Sequence, residues 1–111
     1  DEISCTGPTR VSELRDGVVT TREISAALLL GDTCAADTIS GGEPEENAQI
    51  LRDVLAGKPG GPREVTLLNA AAAVVVGEKA DRLEDGLVIA RESIDTGAAL
   101  AKLEALIAAT N

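Results

Sequence analysis

The chain has 111 residues, a hydrophobic fraction of 44% and no Phe, Trp, Tyr, Met or His. It is long enough for one aliphatic core and too apolar for a disordered segment. Its formal net charge is −9, with ten scattered Lys and Arg, which argues against binding nucleic-acid phosphates or an anionic membrane surface.

Asp1-Glu2 opens the chain. On spacing alone these are two solvated acids. Val11–Leu14 and Val18–Ile24 flank Arg15-Asp16-Gly17. Asp-Gly between β-prone runs predicts a hairpin, because both residues tolerate positive φ. The following 25–42 stretch is rich in Gly, Asp, Thr and Ser and is expected to be mostly loop. Cys5 and Cys34 form no C-x-x-C or zinc pattern, so two reduced thiols in a cytoplasmic protein are the expectation.

Glu43-Pro44-Glu45-Glu46 predicts a helix start. Pro suits the first turn, and acids there complement the positive end of the helix dipole. Ile50, Leu51, Val54 and Leu55 would form its apolar face, and Gly57 its left-handed stop. Pro62 starts the next element. The run Val65–Val76 is apolar almost all round. Its length and Ala70–Ala73 favour a buried helix ending at Gly77, and small alanines permit close approach of a neighbour. Asn69 would be buried there and must find hydrogen-bond partners.

Asp81 and Glu84 have capping-box spacing ahead of a helix with Leu83, Leu87, Ala90 and Ile94 inward. Thr96-Gly97 separates it from a last helix with Leu100, Leu103, Leu106 and Ile107 inward. Ser4, Thr6 and Thr9 have no His to activate them as nucleophiles. Gly7-Pro8 and Gly60-Gly61-Pro62 read as turns, and fit neither a P-loop nor a dinucleotide fingerprint.

The spacing G-G-E-P-E-E-N (Gly41–Asn47), L-x-G-x-x-G-P-R (Leu55–Arg63 with one residue between) and L-L-N-A-A-A-A (Leu67–Ala73) resembles the C-terminal part of the anthranilate phosphoribosyltransferases. The likeness continues through Lys79-Ala80-Asp81, Ile94-Asp95-Thr96-Gly97 and Thr110-Asn111. It departs at Ala26–Leu30, where the family usually carries a Pro-Glu-Asp-Phe-Gly-like run.

The resemblance implies an α/β fold, the C-terminal part of a phosphoribosyltransferase and nucleoside-phosphorylase-like domain. Residues 1–111 would be one partial domain: the acidic pair and hairpin in 1–24, a loop region in 25–42 and about four helices in 43–111. It implies a fragment of an enzyme of tryptophan biosynthesis that moves phosphoribosyl from phosphoribosyl pyrophosphate to anthranilate as a homodimer. It implies Mg²⁺ held by Asp1 and Glu2, with everything from Arg10 onward as scaffold. The family's G-T-G-G-D and K-H-G-N segments are not among these residues, so the chain alone is expected to be inactive. Two alternatives stay open: a fragment of a related pyrimidine nucleoside phosphorylase, and a non-catalytic scaffold derived from the same fold.

Overall fold

The computed structural model describes residues 2–111. Strand β1 (Pro8–Arg15) and strand β2 (Val18–Ser25) pair antiparallel, with Arg15 opposite Val18 and Pro8 opposite Ser25. Asp16 and Gly17 turn the chain with φ of 51° and 77°, the two positive values that the expected Asp-Gly turn requires. The hairpin is exposed over most of its length, and Leu14, Val18 and Val19 all face solvent.

The 25–42 stretch is more ordered than expected. It contains helix α1 (Ala26–Leu30) and a 3₁₀ turn (Ala36–Ile39). Two Ala and three Leu are all strong helix formers, and Gly31, at φ 93°, stops the helix after one turn.

Helix α2 (Pro44–Leu55) begins as expected at Glu43. The Glu46 carboxylate reaches back to accept the Glu43 backbone N–H at 2.9 Å, one half of a reciprocal cap. Asn47 accepts from the Gly42 N–H at 2.9 Å and donates to the Gly42 carbonyl at 2.8 Å. Gly57, at φ 89°, takes the left-handed position after the helix, and its N–H bonds the Val54 carbonyl. Val54 is buried and Ile50 and Leu55 half-buried, but Leu51 is exposed. The apolar face is therefore narrower than the pattern suggested.

Helix α3 (Gly61–Val76) is the expected buried helix. Its Leu67, Leu68 and Ala71 are buried against helix α4 (Leu83–Asp95), which contributes Leu87, Ala90 and Ile94. These two helices make the largest helix–helix contact among the described residues. Full burial of a Leu is worth roughly 1.5–3 kcal/mol, so Leu67 and Leu68 place the stability in this pair rather than in the hairpin.

Two expectations fail here. The cap of α4 is Arg82, whose side chain does not cap the helix, rather than Asp81. Leu83 is pulled into the apolar layer and starts the helix one residue late, leaving Glu84 in the first turn as the salt-bridge partner of Arg82 at 3.2 Å. In helix α5 (Ala98–Thr110) Leu100, Leu103 and Ile107 are half-buried, whereas Leu106 is exposed. The helix is apolar on several sides, so periodicity alone could not choose its inner face. Gly97, at φ 79°, makes the expected break between α4 and α5.

Candidate metal-holding segment

The structure puts Glu2 at the head of an irregular segment that packs Ile3 and Cys5 into the core. Ile3 and Cys5 are buried, Glu2 is exposed and Ser4 is half-buried. This period-two alternation turns the Glu2 carboxylate outward while the next residue is driven inward. Asp1 lies outside the described residues, so its place relative to Glu2 is not part of this geometry.

The segment has no strand partner along its length, so its backbone groups are satisfied one at a time. Asn69 on α3 takes both groups of Ile3: Oδ1 accepts the Ile3 N–H at 2.8 Å, and Nδ2 donates to the Ile3 carbonyl at 2.9 Å. The same Nδ2 donates to the Val65 carbonyl at 2.9 Å, one turn back on the helix. The Ser4 N–H goes to the Thr9 hydroxyl at 3.0 Å. The Cys5 carbonyl accepts the Cys34 N–H at 2.7 Å. Asn69, expected to be buried and in need of partners, is half-buried and has three. That two of them lie on residue 3 has no local signal, since 66 residues separate the pair.

A backbone hydrogen bond at Glu2 itself is the first cause that holds its carboxyl below the ordinary carboxylate value. An exposed carboxylate is the hard oxygen donor that Mg²⁺ takes, and in this respect Glu2 fits the ion. No group of three or more His, Cys, Asp or Glu among the described residues could hold a metal. Glu2 with Asp1 would therefore supply only part of a shell, with water and substrate phosphates supplying the rest, as is usual for Mg²⁺.

A cleft of about 430 Å³ lies between the hairpin and the start of α4, lined by Glu13, Arg15, Arg22, Arg82 and Glu84 among others. Its arginines are already engaged. Arg15 and Arg22 reach Glu13 at 3.1 and 2.8 Å, Arg15 also donates to the Asp81 carbonyl at 3.2 Å, and Arg82 meets Glu84. Three arginines and three acids, Glu13, Asp81 and Glu84, line the cleft, so it carries no net positive charge for an anion.

Arg63, in the G-P-R motif, was not singled out by its chemistry. Its side chain is mostly buried and joins the start of α3 to the end of α4 through Asp95, at 2.9 Å. Asp95 belongs to another quoted motif, Ile94-Asp95-Thr96-Gly97, so two segments 32 residues apart meet at a scaffold contact.

Residues 1–100 match the sequence profile described as glycosyl transferase family, a/b domain. The chain belongs to this family. Within the family it is 48% identical, over all 111 residues, to the anthranilate phosphoribosyltransferase of Rhodopseudomonas palustris strain BisB18, of which it covers 33%. The anthranilate phosphoribosyltransferase of Syntrophobacter fumaroxidans is also 48% identical over the whole chain, which again covers 33% of it. Among solved structures, the anthranilate phosphoribosyltransferase from Saccharomyces cerevisiae in complex with 4-fluoroanthranilate matches with a TM-score of 0.81 at 28% identity, over 94% of this chain and 31% of that one. This family chain thus spans about a third of the length of the relatives it matches. Its mixed architecture, a hairpin followed by helices, is the α/β arrangement expected from the quoted motifs.

Proposed function

We propose that the chain serves as part of an anthranilate phosphoribosyltransferase, which transfers phosphoribosyl from phosphoribosyl pyrophosphate to the amine of anthranilate and releases pyrophosphate. The observation that carries this reading is the 48% identity to an enzyme of that name across every residue of the chain.

In this reading the 111 residues divide their labour. Glu2, with Asp1, would hold Mg²⁺, whose charge would offset that of the pyrophosphate group. The Ile3–Cys5 segment follows the acidic pair in sequence; Asn69 fixes it to α3, Thr9 ties it to β1 and Cys34 ties it to the loop after α1. The α3–α4 pair is the platform. Groups that position the two substrates would come from the part of the relatives that this chain does not span, and positioning with preorganised electrostatics supplies most of the rate in such transfers. The homodimer and the cytoplasmic setting belong to the same reading of the whole enzyme. No helix of the described residues is long and apolar enough to cross a membrane.

Replacing both acids tests the metal assignment. In the whole enzyme, Asp1→Asn with Glu2→Gln keeps side-chain volume and removes the ligands for a hard cation. The expected result is a rightward shift of the magnesium dependence of turnover, with the KM for anthranilate changed little. A double variant that titrates with magnesium as the parent does would make Asp1 and Glu2 ordinary surface acids.

A further inference from the structure

We propose that Asn69 is a positioning residue for the Glu2 carboxylate, acting through the backbone of Ile3. The inference rests on the reading that Glu2 holds Mg²⁺, and goes beyond it by assigning a role to a residue 66 positions away.

The argument starts from the peptide unit. The Ile3 N–H belongs to the same planar unit as the Glu2 carbonyl. A 2.8 Å bond from that N–H to Asn69 Oδ1 therefore fixes the plane that leaves the Cα of Glu2. The second bond, from Asn69 Nδ2 to the Ile3 carbonyl at 2.9 Å, fixes the next plane. One carboxamide thus exchanges both bonds with one residue, the pattern by which a strand neighbour holds its partner in a sheet. The burial of Ile3 then sets which way the segment faces, and Glu2 emerges on the other side.

Asn69 is itself held. Its Nδ2 also donates to the Val65 carbonyl on its own helix at 2.9 Å, and its neighbours Leu67, Leu68 and Ala71 are buried in the core. The carboxamide is thus a rigid arm from the core to the peptide next to Glu2. Asp offers no donor for the Ile3 carbonyl, Ser is too short, and Leu of similar size would leave both Ile3 groups without these bonds. Groups that orient metal ligands without touching the ion influence metal affinity strongly.

The test uses the whole enzyme and Mn²⁺ as a spectroscopic stand-in for Mg²⁺. Free Mn²⁺ is read by electron paramagnetic resonance in the presence of inorganic pyrophosphate, with Tm measured alongside. Asn69→Ala is expected to weaken Mn²⁺ binding about ten-fold. Asn69→Asp keeps the acceptor for the Ile3 N–H, and its loss is expected to be smaller but measurable. Leu87→Ala lowers Tm through the core alone and is expected to keep the parent's Mn²⁺ affinity.

The controls separate the two layers of the argument. If Glu2→Gln binds Mn²⁺ as the parent does, the metal reading fails and takes this inference with it. If Glu2→Gln weakens binding while both Asn69 variants retain the parent's affinity at a lowered Tm, the metal reading stands and Asn69 is only structural. Should Asn69→Ala fail to fold, Asn69→Asp carries the comparison, and parental affinity in that variant overturns the proposal.

Discussion

Gly86 on α4 packs directly against the backbone of Ala71 on α3. A methyl carbon placed on Gly86 would lie 2.6 Å from the Ala71 carbonyl oxygen and 3.1 Å from its Cα. Both residues are buried. The alanine run that reads as a close-approach surface has its counterpart here, in a helix-interior glycine that costs roughly 1 kcal/mol relative to alanine in propensity alone.

Gly86→Ala is accordingly predicted to destabilise the protein, despite the better helix former. The atoms it meets are backbone and cannot swing aside, so overpacking of about 1–3 kcal/mol outweighs the propensity gain. Urea unfolding measures the difference. A variant as stable as the parent, or more so, would show that the two helices can separate freely at this point.

Amide hydrogen exchange should rank the elements. The amides of Leu67 and Leu68 sit in the buried centre of α3 and are predicted to exchange only through near-global opening. Those of Val19 and Thr20 lie in a two-stranded, mostly exposed hairpin, which is marginal in water without further support. Stronger protection in the hairpin than in α3 would contradict the placing of the core.

Alkaline pH should expose the Cys5–Cys34 contact. Burial, followed by the neighbouring Cys5 thiol, pushes the Cys34 thiol up from its ordinary 9.0 to about 12. A folded-state pKa above the unfolded one means that the folded chain holds its proton longer. The contribution to stability is fully present below pH 9.0 and is lost as pH rises through about 12. Cys34→Ala removes this linkage. Stability-against-pH curves for parent and variant should therefore run parallel below pH 9.0 and converge or cross above it. Parallel curves throughout would mean that Cys34 ionises as it does in the unfolded chain.

Much of the fold was legible because its signals are local. Asp16-Gly17 dictates a turn, Glu43-Pro44 starts a helix, and Gly57 and Gly97 end or separate helices. Errors arose where local helix propensity was underweighted, as in the 25–42 stretch, and where tertiary packing decides. Ala26–Leu30 folds as a helical turn because its propensity outweighs the polar residues around it. The start of α4 shifts from Asp81 to Arg82. Leu51 and Leu106 face outward because each helix has fewer neighbours than apolar positions.

The site was less legible. Two adjacent acids carry no ligand pattern of their own, and only their resemblance to a family gave Asp1 and Glu2 a role. The need of Asn69 for partners could be read from its apolar surroundings. That Ile3 would meet it could not, because the contact depends on how the irregular segment packs against α3.

The most direct measurement grafts this chain in place of the matching third of the Rhodopseudomonas palustris relative, to which it is 48% identical over all 111 residues. Consumption of anthranilate is then followed by fluorescence, with the isolated chain as the comparison. The account predicts that the graft transfers phosphoribosyl to anthranilate at an ordinary enzymatic rate, on the order of 1 s⁻¹ or more, while the isolated chain shows no turnover. A graft that folds with the relative's cooperativity and binds both substrates yet transfers nothing would contradict the proposed function. Turnover by the isolated chain at that rate would contradict the division of labour on which it rests.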